Sequence, residues 1–370
     1  MPASAKIPIR NLYYLLSYAW GQLPEDNAPA CVDALDASDT VQLLARLLAT
    51  GTRHAIRQGL NRDYLPRADE LPGIRGRLRF AESLRRLSFA RGRAHCDYDE
   101  LDHDNLPNRI IKTTLENLFY SPTFQDAKRD LKDDVAAVLK QLDNITTEEL
   151  RAAHFHRVRL HRSNAHYGML LSICELAFDC LLPEPTARDE SGRRFKNFTQ
   201  DEVLMRALYE NFVRNFYDRH ARALGYAKIG ATKVEWKVTW DETHETAAAA
   251  TVLPEMRTDI TLESPARKII IDCKYTARAL DGGRHDGRKL LSGNLYQIFA
   301  YVKNQSRVSG WQNCEGLLLY PTVSEEFRHP YDMDGNRIIA ATVNLASPWE
   351  KIHERLLKLI NQRQTARKCV

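Results

Sequence analysis

A run of β-branched residues that ends in charge sets the hardest condition on this chain: "KIIIDCKY", residues 268–275. Ile269 to Ile271 reads as a buried strand, yet Asp272 and Lys274 follow it at once. A second acid, Asp259, lies in the preceding strand-like segment, Arg257 to Leu262. Side chains alternate across a strand, so Asp272 and Lys274 share one face, and Ile269, Ile271 and Cys273 the other. The expectation is an apolar side that anchors the strand and a polar side that must find a partner. A neighbouring strand carrying Asp259 would bring a second carboxylate beside Asp272. Two adjacent carboxylates repel, and burying them unpaired is costly. A divalent cation resolves that conflict, and hard oxygen donors with room for water suit magnesium. Such a metal activates water and polarises a phosphoryl oxygen, while a nearby ammonium offsets the charge that develops. From the residues alone, metal-assisted phosphodiester hydrolysis and a simple salt bridge at a strand end both stay open.

A length of 370 residues exceeds one ordinary core and predicts two domains. The boundary is expected near residue 165, where the segment Arg151 to Cys174, free of acids, closes the first half. Helices are expected over 7–23, 40–58, 105–120 and 126–143 in that half, with loops and short strands in "LPRADELPGIRGRLRF". After it the order reads helix (201–223), strands (233–240, 255–262, 268–275), helix (293–305), strands (315–320, 337–345), helix (348–362). That order describes a mixed α/β sheet with helices on both faces. The seven cysteines are scattered without any CxxC spacing, which excludes a disulfide framework and a cysteine zinc site and indicates a reducing compartment. Leu12 to Trp20 lacks a small-residue cleavage site, and Tyr167–Leu182 is interrupted by Glu175 and Asp179. A soluble, cytoplasmic protein without membrane contact is the expectation.

The order "RTDITL … KIIIDCKY … NLYQIFAY … GLLLYP" resembles the PD-(D/E)XK nuclease superfamily. Together with "IPIRNLYYLLSYAWGQL", "LPGIRGRLRF" and "NRIIKTTL", the chain is similar nearly end to end to the McrC family, the nuclease subunits of McrBC modification-dependent restriction systems. The resemblance implies an N-terminal α+β partner-binding domain, 1–165, and a PD-(D/E)XK-like nuclease domain, 166–370. It implies that Asp259 and Asp272 hold Mg²⁺, with the Cys273 carbonyl as a third oxygen, and that Lys274 is catalytic. It sets Tyr296 and Gln297 on the flanking helix, in support of water or phosphate. The superfamily often adds an acid on the first core helix, for which Glu210 is the candidate. On a helical wheel, however, Glu210 lies roughly opposite the Leu204, Leu208, Phe212, Phe216 stripe, and a solvated glutamate is the other reading. Asp259 follows Thr258 rather than a proline.

The implied partners are an McrB-like AAA+ GTPase ring, double-stranded DNA carrying modified cytosine, and a second copy of the complex for double-strand cleavage. No nucleotide is expected on this chain, because "GGRHDGRKL" (282–290) has Arg288 in place of the phosphate-loop lysine and no Ser or Thr after it; a mobile basic loop is the preferred reading. Arg157, Arg159 and Arg162, interleaved with histidines, read either as a DNA-backbone contact or as a charged linker. Arg75, Arg77 and Arg79 would lie on one face of a strand or hairpin, either solvent-facing or as a basic projection that enters the partner ring. Two competing functions are a non-catalytic adaptor of an AAA+ partner and a repair nuclease that needs no motor.

Overall fold

A computed structural model describes residues 7–20, 39–161, 164–165, 167–180, 197–238, 252–275, 280–282 and 288–361. Two units result, but the cut differs from the expected one near residue 165. The first helix, α1 (Ile9–Ala19), groups with the chain from Phe198 onward, and the residues between them make the other unit. The reason is a set of contacts more than 190 residues apart in sequence. Asn11 Nδ2 donates to the carbonyls of Leu345 at 2.6 Å and Ser347 at 2.8 Å. Tyr14 stacks on Trp349 with centroids 4.4 Å apart, and Asn215 Nδ2 donates to the carbonyls of Tyr18 and Ala19 at the helix end.

The middle unit contains α2 (Thr40–Gln58), β1 (Asp63–Leu71), β2 (Arg77–Leu78), α3 (Phe80–Arg85), β3 (Ala94–Asp102), α4 (Leu106–Phe119), α5 (Arg129–Gln141), α6 (Ala152–Arg157) and α7 (Tyr167–Cys180). Its core comes from apolar stripes at helical spacing, among them Leu43, Leu44 and Leu48 of α2 and Ile110, Leu115 and Leu118 of α4, all buried. Asp39 and Asn105 cap α2 and α4 by accepting from Gln42 N and Asn108 N. The expected boundary falls just before α7, which packs back on this core: Gly51 meets Leu170 so closely that an added Cβ would stand 2.4 Å from it. From the core projects an antiparallel sheet of order β1-β3-β2.

The C-terminal unit continues with α8 (Glu202–His220), β4 (Lys228–Gly230), β5 (Lys233–Val234), β6 (Met256–Arg257), β7 (Ile260–Glu263), β8 (Lys268–Cys273), β9 (Leu280–Gly282), β10 (Arg288–Leu290), α9 (Ser292–Gln305), β11 (Glu315–Thr322), β12 (Arg328–Met333), β13 (Asn336–Asn344) and α10 (Trp349–Ile360). Six strands make one mixed sheet, ordered β12-β13-β11-β8-β7-β4. β11 runs parallel to both β13 and β8, and the remaining pairs are antiparallel. The expected mixed α/β architecture is present. Of the expected strand 233–240, residues 233–238 are described and only the two of β5 form a strand, while 239–240 lie outside the described residues.

Both faces of the central strands are covered. Ile270, Leu318, Tyr320 and Ile338 pack with Ile298, Tyr301 and Val302 of α9. On the opposite face Tyr209 and Tyr217 of α8 come up to Cys273. This corrects the expectation of one polar side on β8: Ile270 shares the face of Asp272 and is fully buried, so only the end of the strand is polar. Among the described residues no helix is long and apolar enough to cross a membrane.

Candidate active site

The antiparallel register Ile260↔Ile271, carried one residue further, sets Asp259 beside Asp272. Asp259 stands in the bend just before β7, and its Oδ2 accepts from the Cys273 amide at 2.7 Å. Asp272 is 0% exposed. Its Oδ1 accepts from Lys274 Nζ at 3.1 Å. Its Oδ2 lies 2.9 Å from the same ammonium, so the buried carboxylate is paired with Lys274 through both oxygens, and no other donor among the described residues reaches Oδ2. The three sequence-predicted groups therefore meet at the ends of adjacent strands.

Their electrostatics follow from burial. Desolvation, then the nearby Asp272 charge, pushes Asp259 up to about 7. Desolvation also raises Asp272, opposed by Lys274. The Cys273 thiol, buried on the other face, is held well above its usual range by desolvation and is no thiolate ligand.

Helix α9 presents Asn294, Gln297 and Tyr301 at i, i+3 and i+7, one polar stripe toward the strand ends. Lys274 Nζ donates to Gln297 Oε1 at 2.8 Å, and Gln297 Nε2 donates to Tyr301 Oη at 2.8 Å. The first bond fixes which way the amide points, because an ammonium only donates. Asn294 Nδ2 donates to Tyr320 Oη at 3.2 Å. Gln297 and Tyr296 both lie on the flanking helix, as expected; Gln297 meets Lys274, whereas Tyr296, one position off the stripe, is 69% exposed. Tyr301, which the sequence reading passed over, is the tyrosine that bonds Gln297.

Glu210 is neither free nor on a solvent face. Its side chain is 31% exposed and pairs with Arg214, and its charge reaches Asp259 and Asp272. The wheel misled because α8 is buried on two sides. Phe212 and Phe216 meet Tyr18 of α1, whereas Tyr209, Val213 and Tyr217 form a second stripe, and Tyr209 reaches Tyr275. Glu210 flanks that second stripe. Arg214, which donates to the Asp259 carbonyl, went unnoticed because a bond to a carbonyl leaves no pattern in sequence.

The residues fit a hard divalent cation: two adjacent carboxylates, Asp272 buried and Asp259 partly so, share one nearby ammonium, and their mutual repulsion is what such an ion would relieve. Among the described residues no group of three or more His, Cys, Asp or Glu side chains is set to hold a metal, consistent with the engagement of Glu210 by Arg214.

The basic features of the middle unit read differently in three dimensions. Of Arg75, Arg77 and Arg79, only Arg77 lies in a strand, so the three do not form one basic face. Arg75 sits over the Tyr98 ring at 4.5 Å and 3.9 Å from Glu100; Arg79 pairs with Asp97 and Glu82, each at 3.0 Å. Eight arginines and eight carboxylates occur between residues 63 and 102, so the projection is neutral rather than basic. It does expose apolar side chains, including Ile74, Phe80, Leu84 and Leu87. Arg157, at the end of α6, and Arg159 are exposed, and Arg162 lies outside the described residues. Most of the 282–290 loop also lies outside them, between β9 and β10, which pair as a hairpin.

A mixed α/β sheet whose adjacent strand ends carry an acid pair and a lysine defines the class. The comparisons with known proteins narrow it. The family model described as "McrBC 5-methylcytosine restriction system component" matches residues 4–321. The chain is 31% identical over 356 residues to the "Type IV methyl-directed restriction enzyme EcoKMcrBC" of Escherichia coli K12, covering 96% of this chain and 98% of that protein. In fold it is similar to a chain of the Thermococcus gammatolerans assembly of McrB AAA+ hexamers with bound McrC, with a TM-score of 0.53 and 17% identity, over 95% of this chain and 76% of that one. The chain belongs to the McrBC restriction-system family, as a homologue of McrC.

Proposed function

We propose that this chain is the Mg²⁺-dependent DNA endonuclease subunit of a methylcytosine-specific restriction complex, working with an McrB-like AAA+ GTPase that it stimulates. The observation that carries the reading is the pair Asp259 and Asp272 at adjacent strand ends, the second fully buried, with Lys274 alongside. The PD-(D/E)XK assignment accounts for that set on the ends of β7 and β8. Asp259, Asp272 and the Cys273 carbonyl would hold the ion, which when bound supplies Lewis-acid polarisation of the phosphate and a more acidic water. Lys274 donates toward the scissile phosphate or its attacking water, its position fixed between Asp272 and Gln297. Tyr301 Oη accepts from the other end of the Gln297 amide. Since one such site cuts one strand, double-strand cleavage needs two copies.

Family membership and the likeness to a chain of an assembly with McrB hexamers support the partner assignment. The β1-β3-β2 projection, neutral and carrying exposed apolar side chains, suits docking on a protein ring better than binding to a nucleic-acid backbone. The test is Asp272→Ala in the complex reconstituted with its GTPase, Mg²⁺, GTP and 5-methylcytosine DNA. Cleavage should disappear while stimulation of GTP hydrolysis persists. Retained cleavage, or parallel loss of both activities, would reject the assignment.

A further inference from the structure

The carbonyl of Asp259 has lost its place in the sheet. β4 ends at Gly230, opposite Thr261, so the ladder stops before it reaches this acid. Arg214 of α8 supplies the donors instead: Nε and Nη2 both point at the Asp259 carbonyl oxygen, each at 3.3 Å. The same guanidinium bonds Glu210 through Nη2 and donates from Nη1 to Asn211 Oδ1 at 3.1 Å. A planar fork with several donors can hold three acceptors at fixed angles; an ammonium of similar charge cannot. Asp259 sits in a bend, where its side-chain direction depends on how its peptide is held. Glu210 and Asp272 both act on Asp259 by charge, and Glu210 is itself engaged by Arg214.

We infer that Arg214 is a positioning residue for the carboxylate pair: by clamping the Asp259 peptide and tethering Glu210, it sets the first acid for cation binding. The inference rests on the metal reading proposed above. Loss of a group that orients a metal ligand typically costs about 10–100-fold in metal affinity. The test is titration of the full chain with Mn²⁺ by calorimetry, with thermal unfolding in EDTA as the folding control. Arg214→Lys keeps the charge and loses the fork; its Mn²⁺ affinity should fall about tenfold with little change in unfolding temperature. The same loss should appear when Arg214→Lys is made in a Glu210→Gln background, because the clamp acts through Asp259. Should Arg214→Lys fail to fold, Asn211→Ala removes one anchor of the guanidinium and should weaken Mn²⁺ binding in the same direction. Wild-type affinity in Arg214→Lys, in Asn211→Ala where Lys does not fold, or disappearance of the effect in the Glu210→Gln background overturns the clamp but leaves the metal reading standing. Absence of Mn²⁺ binding by the unaltered chain overturns both.

Discussion

The end of β8 and the β1-β3-β2 projection invert each other's polarity. In the sheet, charge is buried and crowded: Asp272 is inaccessible, and Asp259 beside it is held up at about 7. On the projection, charge is exposed and neutralised in pairs such as Arg67–Asp102 at 2.6 Å and Arg91–Glu70 at 2.7 Å, while Ile74, Phe80 and Leu84 stand in solvent. Crowded buried carboxylates store potential for chemistry, and exposed apolar surface among paired charges stores potential for recognition. Net charge hides this division, since +5 over the whole chain is compatible with either.

The sharpest break between the regions should come from Lys274. Lys274→Ala removes a donor aimed at developing charge, and cleavage should slow by about 10²–10³-fold, with Mn²⁺ binding retained in calorimetry. No single arginine of the projection should have that effect on the chemical step. Packing should separate the regions next. Leu318, paired with Asp272 across the sheet, is fully buried; Leu318→Ala should destabilise by about 2–5 kcal/mol in denaturant unfolding. Leu87 offers the opposite case, exposed and at φ 53°, a conformation where a side chain is costly. Leu87→Gly should raise stability by about 1 kcal/mol while weakening binding to the GTPase ring, measured by co-sedimentation or interferometry. Loss of stability there would mean that the apolar residue serves the fold rather than a partner.

A smaller effect concerns the seam between α1 and α8. Tyr18 Oη and His220 Nε2 stand 2.9 Å apart, and desolvation, with His353 nearby, holds His220 down at about 4. Between that value and the ordinary 6.5 the unfolded chain takes up a proton that the folded one refuses. Its contribution is therefore complete above pH 6.5 and is lost as pH falls toward 4. Asp259, held up at about 7, works in the opposite sense over the same window, so the decline is read as the difference in thermal unfolding between the unaltered chain and His220→Asn, in which the unaltered chain should lose ground as pH falls from 6.5 toward 4.

Some of this was legible in the sequence for definite reasons. "KIIIDCKY" declares a buried strand with a polar end, and the spacing back to Asp259 suffices for an antiparallel neighbour. The helix 293–305 was legible, and Gln297 with it; Tyr301 was within reach of the same i, i+4 spacing. Other features leave no local trace. The attachment of α1 to the C-terminal unit rests on Asn11 reaching Leu345, a contact that no window of sequence contains. Strands β1 and β3, "DYLPRADEL" and "AHCDYDELD", are rich in charge and poor in β-branched residues; each is a strand because the other supplies its ladder. Glycine marks one turn there: Gly76 has φ 69°, and an added Cβ would stand 2.3 Å from the Asp97 carbonyl oxygen.

The most direct test of the carboxylate pair as a cation site is anomalous diffraction from crystals of the full chain soaked in Mn²⁺, beside crystals of Asp272→Asn treated alike. The account predicts one strong peak between the side chains of Asp259 and Asp272 in the first and none there in the second. No peak at the pair in the unaltered protein, or an equal peak in both crystals, would contradict it.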